Sequence, residues 1–206
     1  MTFPDQSFEN IHAFANAYFE QLTIASKSVD NITLNNAAVM LGSAYDRRAA
    51  VYVCGNGGSG SIANHFICDH LKGVQTDTNT RPRIMSLSSN IEILTAIAND
   101  VSYDDIFAFQ LSVMADAGDV LITISSSGDS ENIVRAVQWA KSNECSVISM
   151  TGFDGGRSSK ISDINLHVDS DNYGVIEDTH QILMHILAQF IRLNRMENSL
   201  IPKKRF

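Results

Sequence analysis

The sequence predicts an α/β fold, a three-layer α-β-α sandwich with a central parallel five-stranded sheet, preceded by an N-terminal helix pair. Three observations predict it. Short β-rich runs recur from residue 51 onward. They are apolar along their length, as in strands covered on both faces, and helical periodicity fills the gaps between them.

The elements follow in order. Phe8, Ile11, Phe14, Ala15, Tyr18, Phe19 and Leu22 recur at helical spacing, and Ala37, Ala38, Leu41 and Ala44 mark a second helix, with Asp30-Asn31 as the cap between them. These helices either pack between subunits or cover one face of their own sheet. The expected strands are Val51–Cys54, Arg83–Leu87, Val120–Ile124, Ser146–Met150 and Ile164–Val168. A last helix starts near Gly174 and carries Ile176, Ile182, Leu183, Ile186, Leu187, Phe190 and Ile191. No repeat or Pro/Gly linker divides the chain, so one domain is expected over 1–206. Residues 1–50 form its helices for oligomer packing, 51–194 its α/β core and 195–206 its tail.

A chain of 206 residues, 44% hydrophobic and 18% charged, is long enough to bury a full core. Its formal charge of -8 argues against a general grip on nucleic acid or on anionic membrane, both of which need a basic face. Lys203-Lys204-Arg205 is too short to change that and reads as a solvated tail. Cys54, Cys68 and Cys145 have no paired spacing and read as reduced thiols. With neither a leader pattern nor a membrane-length apolar run, the expected location is the cytoplasm.

Two loops carry the chemistry. After the first strand, Gly55-Asn56-Gly57-Gly58-Ser59-Gly60-Ser61 leads into a helix, where glycines allow close approach and free N–H groups attract an anion. The loop lacks the Lys of a Walker loop and the spacing of a dinucleotide fingerprint. A tight structural turn would use the same glycines. After the third strand, Ser125-Ser126-Ser127-Gly128-Asp129-Ser130 leads into another helix, and hydroxyls with backbone amides can wrap phosphate oxygens without a lysine. One serine would be a helix cap; four in six residues point to a ligand. Ligands of open α/β sheets collect at the carboxyl ends of strands, which brings both loops to one site. The phosphate-binding candidates are Asn56, Gly57, Gly58, Ser59, Ser125, Ser126, Ser127 and Ser130.

The chain resembles the sugar isomerase (SIS) domain family, whose fold is flavodoxin-like, and within it the phosphoheptose isomerases of bacterial lipopolysaccharide heptose biosynthesis. The resemblance covers residues 8 to 194. It rests on the helix pair, Gly55-Asn56-Gly57-Gly58-Ser59, His65-Phe66, Ala98-Asn99-Asp100 with Asp105-Ile106-Phe107, the serine loop, Thr151-Gly152-Phe153-Asp154-Gly155-Gly156 and the final His-bearing helix. It implies interconversion of sedoheptulose 7-phosphate and D-glycero-D-manno-heptose 7-phosphate in a homotetramer with sites at subunit contacts. It further implies one zinc ion per subunit, held by His65, Asp69, Glu177 and His185, and substrate contacts from Asn99 and Asp100. Asp69 stands where the family has a glutamate, and Glu177 where it has a glutamine.

An aldose–ketose isomerisation needs a base near carbon and an acid or metal near the oxygens. His65 and Asp69 share a helix face, and Glu177 and His185 lie within about 80° of each other on theirs. Two imidazoles and two carboxylates suit a divalent ion. Shortening Glu to Asp withdraws the carboxylate by about 1.5 Å, on the order of 10²-fold in rate if uncompensated. Asp69 and Glu177 are therefore expected to divide the ligand and base roles, with His185 as general acid. His12, His70, His167 and His180 read as structural or surface residues, and Lys72 as exposed. The competing readings are a non-catalytic SIS module that binds or senses a phosphosugar, and an isomerase of a different sugar phosphate.

Overall fold

A computed structural model describes residues 2–206. Two helices come first, α1 (Ile11–Ser28) and α2 (Asn31–Asp46). The Asn10 side chain accepts from Ala13 N at α1, and Asp30 accepts from Ile32 N at α2, each satisfying an N–H that has no partner within its helix. Phe8 precedes α1 instead of belonging to it, and packs edge-on against Phe14 with ring centroids 5.3 Å apart.

The parallel sheet has the strand order β2-β1-β3-β4-β5, formed by β1 (Ala50–Gly55), β2 (Arg83–Ser86), β3 (Val120–Ile124), β4 (Ser146–Thr151) and β5 (Ile164–His167). Between the strands run α3 (Gly57–Cys68), α4 (Ile91–Asp100), α5 (Ile106–Met114), α6 (Glu131–Ser142) and α7 (Gly156–Ile161), and α8 (Tyr173–Leu193) closes the fold. Alternate strand residues feed two cores. Val51, Val53, Ile122, Ile124 and Met150 face α2, α3 and α8, whereas Tyr52, Cys54, Leu121 and Val147 face α4, α5 and α6. The order of the chain reverses between β1 and β3, where Gly55 pairs with Ile124, so the loops that follow these two strands open side by side.

The sheet departs from the expected burial at its margins. β1 and β3 are buried throughout, but β2 exposes Arg83 and Met85 because it is an edge strand, and β5 on the other edge alternates buried and half-buried residues. A π-helical turn, Asp69–Val74, continues α3. Among the described residues, no helix is long and apolar enough to cross a membrane.

Candidate active site

The glycine loop is first a tight turn. A Cβ on Gly55 would lie 2.6 Å from the Ser59 backbone, and one on Gly60 would lie 2.9 Å from the Gly55 carbonyl oxygen, so these glycines let α3 start directly against β1. Gly57, at φ +51°, faces open space. Ser88 pins the turn from outside: its hydroxyl donates to the Gly55 carbonyl at 2.8 Å and accepts from the Gly55 amide at 3.1 Å. Asn56 caps α3 by position, but its side chain is committed to Asn132, with reciprocal bonds of 2.9 and 3.0 Å, and accepts from the Tyr103 hydroxyl at 3.2 Å.

In the serine loop, Ser125 Oγ accepts from Gly128 N at 3.1 Å and Ser127 Oγ from Asp129 N at 3.3 Å, so both brace the loop. Ser126 Oγ is buried with no hydrogen-bond partner among the described residues. Ser130 occupies the cap position of α6 without a side-chain cap bond. Among the described residues, Ser126 and Ser130 thus do not brace the loop through their hydroxyls. Gly128, at φ +62°, packs against the Gly155 carbonyl, which joins this loop to the turn after β4. At the rim, hydrogen bonds from Arg157 hold the Asp129 carboxyl below the usual range, and Arg135 with Arg157 does the same for Glu131.

Further along α3 a second group of residues converges. His65, Asp69 and His185 bring one donor atom each to within 4.8 Å of the others. Asp69 sits between the two rings, with Oδ1 3.4 Å from His65 Nε2 and Oδ2 3.4 Å from His185 Nε2. All three side chains are partly open to solvent, at 47%, 27% and 38% exposure respectively. Two imidazoles and a carboxylate are donors that zinc accepts, with a position left for another oxygen.

Glu177 is not in this group. Its carboxylate lies over Gly58, where a Cβ would meet Oε2 at 2.5 Å. Eight residues separate the Glu177 and His185 backbones by about 12 Å along the axis of α8, and the Glu177 side chain is turned toward the loop while His185 faces the cluster. Gln181, one turn before His185, stands at the cluster instead, 3.0 Å from His65 Nδ1 and 3.2 Å from His185 Nε2.

The SIS domain profile matches residues 13–152. The chain is 35% identical over 174 residues to the phosphoheptose isomerase of Colwellia psychrerythraea, covering 83% of this chain and 88% of that one. It belongs to the SIS domain family. The solved phosphoheptose isomerase of Francisella tularensis superposes on it with a TM-score of 0.80 at 33% identity, over 89% of this chain and 99% of that one. That of Neisseria gonorrhoeae gives 0.80 at 28%, over 88% and 98%. This SIS protein therefore stands among the phosphosugar isomerases.

Within the SIS frame, Asn99 and Asp100 end α4, exposed, and bond to each other at 2.7 Å; among the described residues their side chains make no hydrogen bond to either loop or to the cluster. The remaining buried histidines are structural. His70 stacks on Phe66 at 4.0 Å and shares a 2.6 Å bond with the Tyr45 hydroxyl, and burial lowers its pKa to about 3. His180 lies 3.3 Å from the Thr151 carbonyl, and burial lowers its pKa to about 4. Gln181 is the site neighbour that the sequence reading missed. Its spacing of four from His185 was visible, but a lone glutamine on a helix carries no chemical pattern.

Proposed function

We propose that this SIS protein interconverts sedoheptulose 7-phosphate and D-glycero-D-manno-heptose 7-phosphate. The observation that carries the reading is the pairing, along α3, of an anion loop at the helix start with the His65–Asp69–His185 cluster at its end. The named phosphoheptose isomerases support the substrate that the proposal adopts.

The substrate phosphate takes the loop amides with Ser59, Ser126 and Ser130, while Asn56, Ser125 and Ser127 keep the two loops in shape. Asn99 and Asp100 contact the sugar. At the reacting end, the position of Asp69 between two rings suits a ligand, which leaves Glu177 as the base. Glu177 takes the proton from C1 of the ketose and returns it to C2, while His185, the general acid, exchanges the proton on the substrate oxygens. A zinc ion held by His65, Asp69 and His185 would polarise those oxygens as a Lewis acid.

The proposed assembly is a homotetramer with sites at subunit contacts. Such a homotetramer has surface to bury. Ile11, Phe19 and Ile24 on α1, Ile32 and Val39 on α2, and Ile186 and Phe190 on α8 are exposed.

Turnover of sedoheptulose 7-phosphate, measured with added zinc and after chelation, tests this. Metal-dependent formation of the aldose is the expected result. Tight binding of the sugar phosphate without conversion would leave the phosphosugar-binding reading.

A further inference from the structure

We propose that Gln181 is a positioning residue for the cluster: its carboxamide holds His65 by Nδ1, so that Nε2 is the nitrogen offered to a divalent cation. The inference rests on the reading of His65, Asp69 and His185 as a cation site, and it concerns a residue of the last helix to which the resemblance gives no role.

The geometry divides the two nitrogens of His65. Nε2 faces inward, 3.4 Å from Asp69, toward the same carboxylate that His185 Nε2 approaches. Nδ1 faces the Gln181 amide nitrogen at 3.0 Å, and the same nitrogen lies 3.2 Å from His185 Nε2. The His65 ring is about half exposed, and it meets the His185 ring edge-on with centroids 5.1 Å apart, so little packing stops it from turning. Among the described residues, Asp69 and Gln181 are the side chains in polar contact with it.

An imidazole that gives one nitrogen to a metal must be neutral with its proton on the other, and it is oriented by the acceptor of that proton. Gln181 can meet either state of His65. With the proton on Nε2, the amide N–H donates to Nδ1. With Nε2 given to a cation, the amide turns over and its oxygen accepts from Nδ1–H. No other side chain type of this length presents both a donor and an acceptor in one plane. α8 is also a firm base for it, because Thr179 and His180, just before Gln181, are fully buried on the opposite side.

The test is the zinc affinity of the full chain, read by competition with a chromogenic chelator. Gln181→Leu should weaken binding by about 10- to 100-fold. Gln181→Glu, whose carboxylate accepts from Nδ1–H, should recover most of the loss. In a His65→Ala background, Gln181→Leu should cost much less, the remainder coming from its contact with His185 Nε2. The metal-free Tm of each variant separates a folding defect from a binding defect, and Gln181→Asn, too short to reach Nδ1, replaces Gln181→Leu if the leucine variant does not fold. Wild-type affinity in Gln181→Leu, or an equal loss with and without His65, overturns the proposal. A wild-type chain that binds no zinc overturns the cation site itself, a distinguishable failure.

Discussion

Asn56 and Asn132 exchange two side-chain hydrogen bonds, of 2.9 and 3.0 Å, across the gap between the loop after β1 and the first turn of α6. Asn132 is 1% exposed, so its amide has no water to fall back on. This pair ties the loop after β1 to the start of α6, next to the serine loop.

Asn132→Ala leaves Asn56 without its partner in a half-buried place. The expected loss is about 1–3 kcal/mol of stability, read as a lower urea midpoint at an unchanged slope. KM for the sugar phosphate should rise more than kcat falls, because the proposal places the phosphate, and not the reacting carbons, at these loops. An unchanged KM would separate the pair from ligand binding.

Glu177 lies over Gly58, in the first turn of α3, where a bound phosphate would feel its charge. Glu177→Gln should lower the inhibition constant of inorganic phosphate several-fold, on the scale of the ~1 kcal/mol between unit charges about 4 Å apart in water. In the same variant, turnover should fall by about 10²- to 10⁴-fold if Glu177 is the base. Asp69→Asn should lose zinc as well as turnover. Full activity in both variants would remove the proposed division of roles.

Gly128→Ala tests the joint between the serine loop and the turn after β4. A Cβ there meets the Gly155 carbonyl, at a φ of +62° that side chains other than glycine avoid. The strain alone costs about 1–3 kcal/mol, and the clash adds to it. A thermal melt within a degree of wild type would show that the loop yields freely.

His180 is buried and neutral, with its pKa lowered to about 4 from an ordinary value near 6.5. Between those values the unfolded chain binds a proton that the folded chain does not. Stability is therefore fully present above about pH 6.5 and falls as the pH drops toward 4. Urea unfolding across this window should show the slope, and His180→Gln should reduce it, leaving the share that buried His70 contributes by the same mechanism.

Much of this was legible in the sequence. Val51–Cys54 and Val120–Ile124 announce buried central strands because both their faces are covered, and the two loops announce themselves by composition. The β2 edge did not, since Arg83 and Met85 sit in a run that reads like the others. His65 and Asp69 were legible as one face because four residues return nearly to the starting angle. Glu177 and His185 also return near the same angle, but an angle alone does not say where side chains rooted about 12 Å apart along the axis are turned, and here Glu177 lies over Gly58. Gln181 and the Asn56–Asn132 pair depend on which elements become neighbours in space, and no local period encodes that.

The π-helical turn has one more consequence. Asp69 and His70 are consecutive, yet one carboxylate faces the cluster and the other residue's ring lies flat on Phe66 deep in the core. Core and chemistry share a backbone at this point: a shift of the turn that moves His70 on Phe66 carries Asp69 with it. Evolution can therefore retune this enzyme without touching its cleft, by exchanging a hydrophobic side chain beneath it.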